Sequence, residues 1–388
     1  MNSYFIKYVN FVFILLFPIF FIYHVLIAKG YIPPFLGGYF TIVALLNFPF
    51  LVILSLAYQK SNQHFTFIEI IFFLLLLYTF FIAIINFFFN PLPLENTEMF
   101  IFSMRGIIFS IICYILGKYI SIYNENFKKS IILFLFLFFI IILLNLNEFG
   151  MFYLRLTSEN TVSTISYQGY ARVLAVLGLI AIALIKQPHL RLFVYMIISI
   201  SLFFNGARTE FVLFNFASII FFIIYMPKII YILILGFVIS FFTVILNQKL
   251  QNLILENRLV ELFTNPENST SGNARLDTIF IALKNITNNP IFGDYGNYVE
   301  IGGIGYYAHS IISAWSNLGL FGFSLYMLLF LLMFIYIYLY KNKKRFIEYK
   351  LFLLFFIFTF IAMIVSKDYS YMLMGFLVAF YSRSVYVK

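Results

Sequence analysis

The sequence predicts an all-α polytopic membrane protein, and three observations carry that prediction. Of 388 residues, 63% are hydrophobic and only 10% charged, with 55 Phe and a mean hydropathy of +0.99. That is too little polarity to cover a soluble globule, so lipid must serve as solvent. The apolar residues come in runs of about 17 to 25, each long enough to cross a hydrocarbon core of about 30 Å. Lys and Arg concentrate in the short gaps between those runs. In a soluble protein the net charge of +10 would suit nucleic acid; distributed this way it reports topology, and nucleic acid is set aside as a partner.

Taken in order, apolar runs lie near 5–27, 35–57, 66–89, 98–120 and 129–147, then 171–187, 189–206, 208–226 and 228–247. Three more follow at 308–340, 347–366 and 369–385. Twelve spans are therefore expected: nine within 1–247, a large loop over 248–307, and three within 308–388. The first run is too long and aromatic for a cleaved signal and lacks a small-residue cleavage site, so it is expected to stay as a helix. The single cysteine, Cys113, sits inside an apolar run as a buried structural thiol, which leaves no disulfide framework or thiolate metal site.

Charge asymmetry orients the bundle. With the N-terminus cytoplasmic, inner segments hold most of the Lys, and the cluster from Lys341 to Arg345 is the strongest single indicator. Both termini are then cytoplasmic. The outer segments hold fewer cations but more Arg: Arg155, Arg172, Arg208, Arg258 and Arg275, against Arg191, Arg345 and Arg383 inside. A guanidinium fork binds two oxygens of a planar oxyanion at once, so the outer face reads as an anion site.

Two outer loops carry the chemistry. The first, about 148–170, is rich in Ser, Thr and Asn and delivers Tyr167, Tyr170 and Arg172 to the outer mouth of the sixth span. The second, about 248–307, is too long for a simple connector. Within it, QNLILENRLVELF and ARLDTIFIALKNI have helical periodicity, with Leu276, Ile279, Phe280, Leu283 and Ile286 on one face of the latter. Ser271 or Asn273 would cap that second helix, and Asn288-Asn289-Pro290 would end it. Two amphipathic helices over the outer mouth are expected.

Ionisable groups at the edges of apolar runs are costly there and are functional candidates by default. Arg105 lies about 10 Å below the outer surface at 1.5 Å per residue. Arg208 follows Gly206 in the turn FFNGARTEF with Glu210 close behind, and His309 begins the tenth span. Each has a purely structural explanation: Arg105 snorkels, Arg208 pairs with Glu210, His309 caps a helix. Placed together at the outer leaflet with Arg172 and Arg275, they fit a diphosphate on a lipid carrier. His309, with an ordinary pKa near 6.5, would take a proton from a sugar hydroxyl. Tyr167, Tyr170, Asn297, Tyr298, Tyr306 and Tyr307 suit stacking on, and hydrogen bonding to, sugars. No phosphate-binding Gly-rich loop, His-Glu-x-x-His or Asp-x-Asp pattern occurs, and nothing indicates a metal.

Three stretches resemble the O-antigen polymerase (Wzy-type) and O-antigen ligase superfamily of bacterial envelope glycan assembly. NGARTEF is similar to its short Ser/Gly-x-Arg-Thr turn. SGNARLDTIFIALKNITNNPIFGDYGN is similar to its Ser-Gly-Arg helix ending in Asn-Pro-x-x-Gly, and AHSIISAWSNLGLFG to its His-Asn/Ser start followed by Gly-x-x-Gly. Elsewhere the chain matches only in hydropathy. Two residues, Asn273 and Ala274, separate Gly272 from Arg275, and the spacing from His309 to Gly319 is one residue shorter than in ligases; these departures lean toward the polymerase branch.

The resemblance implies a metal-independent glycosyltransferase of the bacterial inner membrane, without cofactor, its site facing the periplasm. Donor and acceptor would both be undecaprenyl-pyrophosphate-linked oligosaccharides, and a chain-length regulator and a flippase are possible partners. Arg208 and Arg275 would hold the donor diphosphate as leaving group, and His309 would act as base or orienter for the acceptor hydroxyl. Arg172 and Arg105 are added from topology alone. Asp277 and Glu210 would orient Arg275 and Arg208. Three rivals stand beside this reading. A ligase would use the same residues to deliver glycan to lipid A core. A flippase would need charges through the middle of the bundle, where only Arg105 and Glu69 lie, and a structural scaffold leaves the outer Arg set unexplained.

Overall fold

A computed structural model describes residues 2–33, 38–59, 65–89, 93–146, 152, 167–228, 270–303 and 306–386. All the regular structure among them is helical. α1 (Asn2–Ile14) continues through a π turn (Leu15–Ile19) into α2 (Phe20–Ala28). The π turn holds Pro18, whose missing N–H and bulky ring are what break the i→i−4 ladder. Next come α3 (Tyr39–Gln59), α4 (Phe67–Phe89), α5 (Pro93–Tyr119), α6 (Glu125–Leu144), α7 (Tyr167–Leu184), α8 (Pro188–Asn205) and α9 (Arg208–Tyr225). After an undescribed stretch follow α10 (Thr270–Asn288), α11 (Asn297–Gly302), α12 (Ile312–Leu339), a 3-10 turn (Lys341–Arg345), α13 (Ile347–Val365) and α14 (Leu373–Tyr386).

Nine helices among the described residues are long and apolar enough to cross a membrane. They correspond to expected spans one to five, seven, eight, ten and eleven. For span six the apolar stretch, Gln168–Leu184, falls just short of that length, and for span twelve α14 has only 14 residues; most of the expected ninth, residues 229–247, lies outside the described residues, as does QNLILENRLVELF. The two short helices share a property that excuses their length. α7 is buried almost throughout from Tyr170 to Leu184, and α14 from Leu373 to Phe380. A helix walled in by protein need not match the full hydrocarbon thickness.

The chain divides into two compact units that are not consecutive in sequence. One comprises 1–9, 43–120 and 270–388; the other comprises 10–42 and 121–269. In the first, α14 is the central helix, packed on α5, α13 and α4. It comes close to α5 at Gly375, where a side chain would collide with the Ser110 carbonyl and the Tyr114 amide. Lipid supplies no hydrophobic drive between helices, so such small-residue contact is what holds the pair. In the second unit α7 has the central place, packed on α6, α8 and α9.

Glu69, buried within its apolar run, has a partner in the first unit. Its carboxylate accepts from Lys118 Nζ at 2.6 Å, from the Tyr114 hydroxyl, and from the Thr66 amide at 2.6 Å. Glu69 and Lys118 side chains are essentially inaccessible, so charge and hydrogen bonds must offset desolvation together. At this same end of α5, Arg383 donates to the Gly117 and Ile120 carbonyls, and Lys343 to those of Ser384 and Val385.

Candidate functional site

The site in the first unit begins with α10, which carries Arg275 and packs on α12. α10 ends at Asn288, as the Asn-Asn-Pro run predicts, but starts at Thr270, so Ser271 and Asn273 lie inside its first turn rather than capping it. Its buried face also differs from the predicted one. Thr278, Ala282 and Asn285 are buried, whereas Leu276, Phe280 and Leu283 are exposed. Small and short polar side chains at i, i+4 and i+7 let the backbone come close to α12; the bulky apolar row points outward.

The turn after α10 docks into a break in α12. Gly319, with φ 67° and ψ −172°, interrupts that helix in a conformation only glycine adopts readily. The amide of Leu320 donates to the Pro290 and Ile291 carbonyls at 3.1 Å, and the Trp315 indole donates to Pro290 at 3.0 Å. Asp294 N–H bonds the Ser316 carbonyl at 2.7 Å, and Gly296 N–H bonds Asn317 Oδ1 at 3.1 Å. The Leu318 carbonyl, freed by the break, accepts from the Tyr78 hydroxyl of α4 at 3.0 Å. A Cβ on Gly319 would sit on the Ile291 carbonyl oxygen, and one on Gly293 would come 2.5 Å from the Gly319 amide nitrogen. The Asn-Pro-x-x-Gly and Gly-x-x-Gly pieces are thus two sides of one backbone joint. It holds the helix bearing Arg275 against the helix that His309 precedes.

His309 lies in the irregular segment before α12, half-buried, its ring 4.7 Å from that of Tyr307. The Ser366 backbone, in the turn between α13 and α14, lies near enough to favour its charged form. Burial, then the Arg275 guanidinium, pushes the imidazole below the ordinary histidine range; the Ser366 backbone opposes this and the Lys367 ammonium adds to it. Burial and two nearby cations thus disfavour the imidazolium form. Lys367 is itself buried, with its ammonium 5.7 Å from the Tyr371 ring centre.

Behind this group stands a wall of phenols. Tyr295 bonds Ser103 of α5, Tyr298 donates to Met99 Sδ at 3.2 Å, and the Tyr298 and Tyr307 rings lie 5.9 Å apart. Burial pushes Tyr295 up to about 12, and Tyr298 and Tyr369 well above the ordinary range, so these hydroxyls remain protonated donors. Asp368 is buried in the same turn as Lys367 and accepts from Ser370 Oγ at 2.6 Å. Desolvation raises its pKa. The turn is tied to α12 by the Tyr369 amide, which donates to Ser313 Oγ at 3.0 Å. Cations and an imidazole from separate chain segments suit an anion with a nearby hydroxyl, not a metal cation.

Other sequence-predicted residues fall elsewhere. Tyr306 is half-buried, its ring against Gly302. Arg105 is exposed on α5. Asp277 is exposed and makes no ion pair with Arg275; residues two apart on a helix do not face each other. Arg172, Arg208, Glu210 and Tyr167 belong to the second unit. There Gly206, at φ 70°, ends α8 in the left-handed conformation that glycine accommodates, and Arg208 opens α9, half-buried. Glu210 is buried in the first turn of α9, Arg172 is half-buried near the start of α7, and Tyr167 begins that helix. Asn205 is buried in the same turn as Gly206, with neither amide atom hydrogen-bonded among the described residues.

Sequence reasoning missed Lys367 and Asp368 as site residues. Lys367 counts there only as one of the outer cations, because the eleventh span is expected to end at 366 and the twelfth to begin at 369, so that 367–368 then looks like a bare connector. The signal was present: SKDYS is the charged interruption between two apolar runs. No protein-family model matches the chain, and no curated protein matches it.

Proposed function

We propose that the chain is an oligosaccharide repeat-unit polymerase of a bacterial inner membrane. It transfers a growing glycan from undecaprenyl pyrophosphate to an incoming lipid-linked repeat unit. The observation that carries this reading is His309, half-buried with its ring against Tyr307 and near enough to Arg275 and Lys367 for both to disfavour its charged form. Orientation is supported by the Lys341–Arg345 cluster, which follows α12 and so lies a full helix away from His309. On that basis the site faces the periplasm.

The acceptor hydroxyl oxygen attacks the anomeric carbon of the donor sugar, and the bond from that carbon to the diphosphate oxygen breaks. His309 takes the hydroxyl proton. Undecaprenyl pyrophosphate leaves with the bonding electrons, and Arg275 and Lys367 stabilise the negative charge that grows on it. That charge is larger in the transition state than in the bound donor, so the cations lower the barrier rather than only tightening binding. Tyr307 beside His309 offers a ring face to a sugar.

The test is complementation of a strain lacking the gene, read as the surface-glycan ladder. Arg208→Ala, Arg275→Ala and His309→Ala are each expected to keep normal protein level and insertion while the ladder collapses to single repeat units. Normal chain lengths with Arg275→Ala would overturn the diphosphate assignment. Full-length polymer that accumulates unattached to lipid A core when the gene is lost would point to a ligase instead.

A further inference from the structure

The second unit contains an apolar groove of about 320 Å³ between α6 and α8. Its floor is Leu135, Val194 and Ile197, all buried, and its walls include Leu133 and Phe193, both exposed. On α6 the lining positions run from Lys129 to Phe136. At 1.5 Å per residue that is a channel about 10 Å long, against about 15 Å of hydrocarbon in one leaflet. α6 and α8 are alternate helices of the bundle, so both run the same way, and Lys129 and Leu190 lie within a turn or so of their starts. The groove therefore begins at one membrane surface and descends along the acyl chains.

The cations at that surface are not equivalent. Lys128 pairs with Glu125 at 3.3 Å, and Arg191 is buried, donating to the Ile185 carbonyl at 3.0 Å. Lys129 is exposed, lines the groove, and has no hydrogen-bond or ion-pair partner among the described residues. A channel of methyl and phenyl groups with an ammonium at its mouth complements one chemical class: an apolar chain joined to a negatively charged head. We propose that this groove binds one phospholipid with an anionic headgroup, its acyl chain along Leu135 and Val194 and its phosphate at Lys129. The site is independent of the His309 chemistry.

Native mass spectrometry of the purified full chain, titrated with phosphatidylglycerol or phosphatidylcholine of the same acyl chains, tests this. One lysine at a membrane surface is worth roughly a fivefold preference for the anionic lipid. That preference should appear for one bound lipid, vanish in Lys129→Ala and persist in Lys129→Arg. Leu133→Trp, which narrows the groove from its exposed wall, should weaken binding of both lipids. A lipid carrying a photoreactive acyl chain should label α6 and α8 at Leu133 and Phe193. Equal binding of the two lipids, a preference unchanged in Lys129→Ala, or cross-links from a second copy of the chain at these positions would each overturn the proposal.

Discussion

Replacing Gly319 with Ala tests the joint that holds α10 against α12. Two costs add at this position. A side chain at φ 67° and ψ −172° costs about 1–3 kcal/mol in backbone strain. The new Cβ also meets the Ile291 carbonyl, and relieving that overlap costs about 1–3 kcal/mol more, with loss of the Leu320 amide bonds. Gly303→Ala is the control: its φ is 79° and ψ −179°, but no described atom lies within 4 Å of the added carbon. It should suffer only the strain. The destabilisation of Gly319→Ala should therefore exceed that of Gly303→Ala by on the order of 2–3 kcal/mol. The assay is built into the chain, because its single tryptophan, Trp315, donates to Pro290 within the joint. Selectively excited tryptophan emission through a thermal ramp should show Gly319→Ala losing the native signal well below Gly303→Ala. Coincident transitions for the two variants would refute the joint.

Four further outcomes follow from the same residues. As a base depressed below pH 6.5, His309 should sustain transfer at neutral and higher pH, with activity falling only as pH drops through its lowered pKa. Lys367→Ala removes one cation that holds that pKa down, so the acidic limb of the pH–rate profile should move to higher pH; an unmoved limb would separate Lys367 from His309. Arg275→Lys should restore little of the rate lost in Arg275→Ala, since an ammonium cannot bind two oxygens as a fork does; near-full rescue, read by elongation rate, would argue against bidentate binding. Glu69→Ala should destabilise the first unit by about 3–5 kcal/mol by stranding buried Lys118, while Glu69→Leu with Lys118→Met should recover much of that in denaturation midpoints.

How much of this was legible in the sequence depended on what lipid alone dictates. Runs such as 67–89 must become helices because no other described segment type satisfies the backbone in hydrocarbon, and the structure has helices there. What hydropathy cannot give is which helices are surrounded by protein. α7 and α14 read as ordinary spans, yet are buried along most of their length, and α14 has only 14 residues. The face of α10 was misjudged for a related reason. Apolar periodicity marks Leu276, Phe280 and Leu283, but the packed face was decided by how closely α10 approaches α12, which favours Thr278 and Ala282. Arg275 and His309 could be singled out because each stands next to a motif. SKDYS marks Lys367 as a charged interruption, but not its proximity to His309, which depends on how the turn between α13 and α14 folds back. Glu69 looked isolated for the same reason: its partner, Lys118, is 49 residues on.

The central claim is that His309 accepts the proton of an acceptor hydroxyl as a lipid diphosphate departs. Purified protein supplied with a lipid-linked repeat unit, in a chelator, tests it most directly, with undecaprenyl pyrophosphate and glycan linkages counted together. One diphosphate released per linkage formed is expected, with His309→Ala slower by about 10²–10⁴ at unchanged protein stability. Elongation by His309→Ala at the native rate, or linkages formed without diphosphate release, would contradict the account.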